Sequence, residues 1–144
     1  PGIGAFLHWP VAGSTVTQTC SNSIPAKLSV VEIGANDYGH NITQSEFRDA
    51  VQGMITALKN AGGDVLILVA GLIRTTQTTT WKDYVDVLYD LAKTNNCALI
   101  DFSKLWGGYP GCEGGNIRNM TVDGIHPSPV GHADIAKWIL KVIS

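Results

Sequence analysis

The chain has 144 residues, of which 44% are hydrophobic and 15% are charged, and its formal net charge at pH 7 is −2. This length suits one domain with a packed core, and a slightly acidic chain lacks the basic surface typical of nucleic-acid-binding proteins. No apolar run reaches the roughly 18 residues that a membrane-spanning helix needs. We therefore expect a single domain over residues 1–144, with neither nucleic acid nor a membrane span among its partners.

The first half of the chain alternates strand and helix patterns. Residues 4–11 predict a short strand, which Ala12-Gly13-Ser14-Thr15 interrupts, and residues 28–33 predict a second strand. Thr43-Gln44-Ser45-Glu46 is a capping box, in which a hydroxyl and a carboxylate satisfy free amides at a helix start. The helix that it opens is amphipathic and ends at Ala61-Gly62-Gly63. Its apolar face consists of Phe47, Val51, Met54, Ile55 and Leu58.

The second half repeats this alternation. Residues 64–70 form a continuous apolar run, typical of a strand buried on both faces of a parallel sheet. A second amphipathic helix begins at Trp81, residues 97–100 predict another strand, and Ser128 with Pro129 opens the last helix. Residues 106–120 are rich in glycine and irregular. The chain is therefore expected to be α/β, with three layers in which helices cover both faces of a parallel sheet.

A polar turn follows the second predicted strand. The sequence runs from apolar residues directly into Gly34-Ala35-Asn36-Asp37. Loops at the carboxyl ends of parallel strands carry function in α/β proteins. Asn36 is therefore a candidate site residue, and a simple Asx turn is the alternative explanation for it.

A second polar cluster lies just ahead of the last helix. Asp123 precedes His126 by three residues, so a turn lets a carboxylate orient an imidazole that acts as a general base. Gly124 gives this turn freedom, and Pro127 restrains His126 to extended geometry. The alternative is an incidental histidine in a helix-entry turn. The other histidines, His8, His40 and His132, are expected to be structural or surface residues.

The sequence shows no motif for a metal or a nucleotide. The three cysteines, Cys20, Cys97 and Cys112, match no CxxC metal-binding pattern. A flavodoxin-like nucleotide site is also disfavoured, because no glycine-rich phosphate loop opens a helix.

Together, the two polar clusters resemble the SGNH (GDSL-type) hydrolase family. Gly34-Ala35-Asn36-Asp37 is similar to the family's third block, and Asp123-Gly124-Ile125-His126 is similar to its fifth block. The resemblance covers nearly the whole chain and implies a flavodoxin-like three-layer α/β/α fold of the SGNH hydrolase type. It implies that His126 and Asp123 are catalytic, that Asn36 lines the oxyanion hole, and that Gly13 supplies the second block's glycine.

The first block of the family, a Gly-Asp-Ser motif that carries the nucleophile, has no match in this sequence. Three explanations stay open. A segment or companion chain that precedes Pro1 supplies the first strand, the first helix and the serine. Alternatively, residues 4–11 are the first strand and Ser14 is the nucleophile, or the nucleophile has been lost. The first explanation predicts that residues 4–11 and 28–33 do not pair directly, because the first strand lies between them.

By this resemblance, the chain is expected to be a serine-type ester hydrolase acting on an acylated small molecule or polysaccharide. Such a hydrolase needs neither a metal nor an organic cofactor. Removal of a small acyl group such as acetyl from a carbohydrate is favoured, because no long apolar lid for acyl chains is visible. Trp81, Trp106 and Tyr109 are candidate sugar-stacking residues, with a role in the core or as loop anchors as the alternative. A binding domain for a carbohydrate or acyl ligand without catalysis is the alternative function.

Overall fold

The computed structural model describes residues 7–8, 26–71, 81–107 and 117–144. Four strands form a parallel sheet in the order β1-β2-β3-β4. Their bounds are Leu7–His8 for β1, Leu28–Glu32 for β2, Asp64–Val69 for β3 and Ala98–Asp101 for β4. All carboxyl ends therefore meet at one edge of the sheet.

Three long helices connect and cover these strands, and they agree with the predicted ones. They are α2 (Gln44–Asn60), α3 (Trp81–Thr94) and α6 (Pro129–Ile143). Three short helices were not predicted: α1 (Ala35–Gly39), α4 (Phe102–Leu105) and α5 (Ile117–Met120). No helix in the described ranges is long and apolar enough to cross a membrane.

The helices pack on both faces of the sheet. On one face, α2 and α3 bury the apolar stripes expected from the sequence, including Phe47, Met54 and Tyr84, against Val31 and Ile67. On the other face, the buried Ile135 of α6 packs with Val30, Leu66, Leu68 and Ile100. The three-layer α/β/α fold with a parallel sheet is thus confirmed.

The direct pairing of β1 with β2 corrects one expectation. Leu7 pairs with Val31 and His8 with Glu32, in parallel register. The prediction that residues 4–11 and 28–33 do not pair is therefore wrong. The prediction placed a further strand between these two segments, whereas β1 itself pairs with the backbone groups at this edge of β2.

Two of the aromatic residues considered for sugar stacking belong to the core. Trp81 is buried against Tyr38 and Tyr84, and its indole Nε1 donates to the carbonyl oxygen of Ala70 at 3.2 Å. Trp106 is buried, and its Nε1 donates to Asp134 at 2.9 Å. Neither ring offers a face to a ligand, so the stacking interpretation is wrong for both. Tyr109 lies outside the described residues.

Candidate active site

A cavity of about 520 Å³ opens at the carboxyl edge of the sheet. It lies between the turn that follows β2, the end of β3 and the start of α6. Asn36 and His126, far apart in sequence, both line it. Among the described residues, its lining consists of Glu32, Ala35, Asn36, Ala70, Ile125, His126, Pro127, His132 and Ile135.

Asp123 and His126 are in direct contact at this cavity. The Nδ1 atom of His126 lies 2.6 Å from Oδ2 of Asp123. The other carboxylate oxygen, Oδ1, accepts the backbone N–H of His126 at 2.8 Å and that of Ile125 at 3.0 Å. Gly124, between them, has a φ of 87°, a conformation that favours glycine. The carboxylate thus fixes both the backbone and the ring orientation of His126.

These hydrogen bonds keep Asp123 ionised. The pKa of its carboxyl is held well below its ordinary value, chiefly by the backbone N–H of His126, then by the His126 side chain and the N–H of Ile125. All three interactions favour the charged form over the protonated acid. Asp123 therefore offers His126 a permanent negative charge at neutral pH.

The loop that carries this pair is closed at its base. Thr121 and Pro127 form an antiparallel bridge, and the Val122 N–H donates to the His126 carbonyl at 2.9 Å. The Ser128 hydroxyl caps α6 by accepting the Gly131 N–H. Gly131 itself has no room for a side chain, because a Cβ there would lie 2.0 Å from the Met120 carbonyl oxygen. The position of His126 thus depends on backbone contacts at both ends of the loop.

Asn36 lies in the first turn of α1, two residues after Gly34, which caps this helix. Gly34 has a φ of 111°, and a Cβ there would lie 3.1 Å from Phe47 and 3.2 Å from Trp81. A side chain is therefore disfavoured at Gly34 by both conformation and space. Within the described parts of the chain, the side chain of Asn36 makes no hydrogen bond, so its amide is available to a ligand and the Asx-turn alternative finds no support.

An aromatic cluster holds α1 against α3. The buried Tyr38 packs edge-on against Trp81 at a centroid distance of 5.7 Å and against Tyr84 at 5.6 Å. Tyr84 in turn donates a hydrogen bond to the carbonyl of Ile42. A five-residue helix has little stability of its own, so these contacts from α3 keep Asn36 in place.

The structure also adds residues that sequence reasoning missed. Glu32 and His132 line the cavity beside Asn36 and His126. Glu32 is the one charged residue of β2, and that signal could have identified it. His132 was expected to be structural or on the surface; it is exposed, yet it lies one helical turn before Ile135 on the cavity side of α6. Gly13 lies outside the described residues, and its place in the site stays a prediction.

The arrangement suits acid–base chemistry at a ligand atom. An imidazole that a carboxylate orients can act as the general base of a nucleophilic triad. A nearby amide N–H can stabilise a developing oxyanion. None of the described residues that line the cavity is a serine. In the same parts of the chain, no group of three or more histidine, cysteine or acidic residues could hold a metal ion.

Comparison with known proteins identifies the family of this chain. The model of the GDSL-like lipase/acylhydrolase family matches residues 11–133. This range contains Gly13, Asn36, Asp123 and His126. A search of the curated proteins finds no match.

Solved structures share the fold at low sequence identity. A protein from Lactobacillus plantarum superposes with a TM-score of 0.77 at 18% identity, covering 92% of this chain and 76% of its own. The acetyl xylan esterase AlAXEase gives a TM-score of 0.69 at 21% identity, with coverages of 83% and 68%. An acetyl-xylooligosaccharide esterase from Geobacillus gives 0.68 at 15% identity, with coverages of 88% and 65%. These structures therefore extend beyond the part that matches this chain.

Proposed function

The chain belongs to the GDSL-like lipase/acylhydrolase family, and we propose that it is a serine-type ester hydrolase that removes small acyl groups, such as acetyl, from a carbohydrate. The observation that carries this proposal is the shared cavity of Asn36 and His126, with Asp123 bonded to the imidazole. Two of the similar structures are described as esterases for acetylated xylan or xylooligosaccharides, which supports the substrate class.

In this mechanism a serine hydroxyl attacks the ester carbonyl while His126 accepts its proton. Asp123 holds the ring and stabilises the imidazolium that forms. The Asn36 amide, together with the backbone N–H of Gly13, donates hydrogen bonds to the oxyanion. His126 then returns the proton to the leaving alcohol, and water repeats the sequence on the acyl-serine.

We propose that the nucleophile lies outside the described residues, in one of two places. The direct pairing of β1 with β2 favours Ser14, because β1 then ends next to Glu32 at the edge of the cavity. The other candidate is a serine on a segment or companion chain that precedes Pro1, as the family resemblance implies. In either case, the base and the oxyanion donor belong to this chain.

The size of the cavity is compatible with a small ligand. Its apolar walls come from alanine, isoleucine and proline side chains, including Ala35, Ala70 and Ile135. Sites for drug-sized ligands span about 300–1,000 Å³, so the 520 Å³ cavity has room for an acetylated sugar unit.

The test compares p-nitrophenyl acetate with p-nitrophenyl octanoate, using the wild type and a His126→Ala variant. We expect hydrolysis of the acetate with an initial burst, little hydrolysis of the octanoate, and loss of both reactions in the variant. Equal rates for wild type and variant would remove His126 from the reaction. Binding of acetylated xylooligosaccharides without turnover would favour the alternative, a non-catalytic domain for a carbohydrate or acyl ligand.

A further inference from the structure

The ring of His40 contacts the backbone of Asn36, the proposed oxyanion donor. Its Nδ1 atom lies 2.7 Å from the carbonyl oxygen of Asn36. The backbone N–H of His40 donates to the same oxygen at 2.9 Å. A carbonyl oxygen only accepts hydrogen bonds, so Nδ1 of His40 carries a proton. Two donors from one residue therefore converge on the peptide oxygen of Asn36.

The orientation of Asn36 depends on such contacts, because α1 is short. Asn36 is the second of its five residues, and a single helical turn gains little from its own hydrogen bonds. The aromatic cluster acts on α1 through Tyr38, two residues further on. His40 acts on Asn36 directly. Within the described parts of the chain, it is the one residue whose side chain hydrogen-bonds to any atom of Asn36.

A side chain near the end of a helix can simply satisfy a free carbonyl group. That role does not account for His40, because the Asn36 carbonyl already accepts a backbone N–H. The carbonyl oxygens of Asp37 and Tyr38 likewise accept backbone N–H groups from the turn that follows α1. The bond from the ring is therefore additional, and its effect is to restrain one particular peptide group.

We propose that His40 is a positioning residue that orients Asn36 for donation to the oxyanion. His40 is exposed and is not among the residues that line the cavity, so it acts through Asn36 and not on the substrate. Holding the Asn36 carbonyl restrains rotation of its peptide plane, and with it the direction of the side-chain amide. An oxyanion donor is effective when it is preorganised. This inference rests on the proposed hydrolase function and adds a residue outside the cavity on which that function depends.

The experiment compares His40→Ala and His40→Asn with the wild type on p-nitrophenyl acetate. Asparagine carries an amide N–H as many bonds from its Cα as Nδ1 is in histidine, so it keeps the donor. Thr43→Ala is the matched control. The Thr43 hydroxyl accepts the backbone N–H of Glu46 at 3.2 Å, close to His40 in sequence, and it makes no hydrogen bond to Asn36. Urea unfolding of each variant confirms that the protein is folded under assay conditions.

We expect His40→Ala to lower kcat roughly 3- to 10-fold, the effect of losing one hydrogen bond between neutral groups. KM should stay unchanged, because the oxyanion exists only after the attack on the ester. His40→Asn and Thr43→Ala should both keep kcat within about twofold of the wild type. Equal losses in His40→Ala and His40→Asn, or a change in KM alone, would overturn the proposal.

A double-mutant cycle tests whether His40 acts through Asn36. In the Asn36→Ala background, His40→Ala should change kcat by less than about twofold, because no side-chain amide is left to orient. Destabilisation of the fold alone would lower activity in both backgrounds equally. The same loss in both backgrounds would therefore overturn the positioning role.

A measurement without substrate distinguishes this proposal from the proposed function. In the wild type at about pH 9, nitrogen NMR should show the His40 proton on Nδ1. The order parameter of the Asn36 side-chain amide should fall in His40→Ala and be kept in His40→Asn. If these results hold but the wild type hydrolyses no ester, the hydrolase assignment fails and the positioning of Asn36 stands. A proton on Nε2, or an unchanged order parameter in His40→Ala, would overturn the positioning itself.

Discussion

One carboxylate, Asp123, contacts His126 in two different ways. Its Oδ2 lies 2.6 Å from the ring Nδ1, and its Oδ1 accepts the backbone N–H of the same residue at 2.8 Å. The first contact orients the imidazole, while the second orients the peptide that carries it. Substitutions can separate these contacts, since a change of the histidine side chain leaves the backbone donor in place.

Replacing Asp123 by Asn should strongly impair catalysis. An amide cannot stabilise the imidazolium as a carboxylate does, and its NH₂ group favours the wrong tautomer. We expect kcat for p-nitrophenyl acetate to fall roughly 10²- to 10⁴-fold, the usual contribution of general base catalysis. The Asp123 and His126 side chains are 49% and 70% exposed, so solvent access favours the lower end of this range. Asp49→Asn serves as a control, and a similar loss in both variants would contradict the role of Asp123.

The titration of Asp123 should reveal which hydrogen bond matters most. In the folded protein, carboxyl-carbon NMR should show a pKa below the ordinary value of 3.8. The His126→Ala variant keeps the backbone N–H, the largest cause of the shift, so its pKa should rise but stay below 3.8. A return to the ordinary value in that variant would show that the ring dominates.

The lowered pKa of Asp123 also makes the stability of the protein depend on pH. Because the folded pKa is depressed, the contribution of the Asp123 carboxylate is fully present above the unfolded pKa and is lost as the pH falls through the folded value. Urea unfolding should therefore show a stability advantage of the wild type over Asp123→Asn near neutral pH. This advantage should shrink below about pH 4. A constant difference down to pH 2 would contradict the linkage.

Replacing Asn36 by Ala should lower turnover without unfolding the protein. The loss of one oxyanion donor costs roughly 10²- to 10³-fold in kcat. Asn36→Asp is a nearly isosteric companion, and because an ionised carboxylate cannot donate, it should be as impaired at neutral pH. Circular dichroism should show unchanged helix content in both variants. Full activity of either variant would exclude Asn36 from the oxyanion hole.

Much of the fold could be predicted from local patterns. The capping box at Thr43 marks the start of α2, and its hydroxyl accepts the Glu46 N–H at 3.2 Å as expected. The apolar run of β3 is buried from Val65 onward, as a central parallel strand should be. Such features depend on residues that are close together in the sequence, and the local sequence pattern therefore predicts them.

Features set by distant contacts were less predictable. The five residues of α1 form a helix because Tyr38 packs against Trp81 and Tyr84, and a window around α1 contains neither partner. The burial of Trp106 depends on a hydrogen bond to Asp134, 28 residues away. The pairing of β1 with β2 likewise depends on which strand reaches that edge of the sheet. Sequence reasoning therefore identified the polar turns better than the surroundings of the aromatic residues.

A Gly34→Ala substitution should destabilise the protein. An alanine at a φ of 111° is strained, and its Cβ would lie within 3.2 Å of Phe47 and Trp81. We expect a loss of about 1–3 kcal/mol in the free energy of unfolding, measured in urea. Gly39→Ala is the matched control, since Gly39 ends the short helix that Gly34 caps, and no atom lies within 4 Å of the added Cβ. Equal stabilities would show that the Gly34 turn relaxes freely.

The final prediction concerns the nucleophile, which a fluorophosphonate probe can locate. The probe reacts covalently with an activated serine, and mass spectrometry of the digested protein identifies the residue. Ser14 follows His8 of β1 by six residues, a span of at most about 20 Å at full extension. Ser14 is therefore within chain reach of the cavity edge, where His8 pairs with Glu32.

If Ser14 is the nucleophile, the chain should be labelled at that residue, and Ser14→Ala should abolish labelling while the exposed-site control Ser45→Ala retains it. If the serine precedes Pro1, this chain should stay unlabelled, whereas a longer protein that includes the preceding residues should be labelled there. His126→Ala should prevent labelling in both cases, because the imidazole must accept the serine proton for the attack to proceed. Labelling that survives His126→Ala would therefore contradict the mechanism, wherever the serine lies.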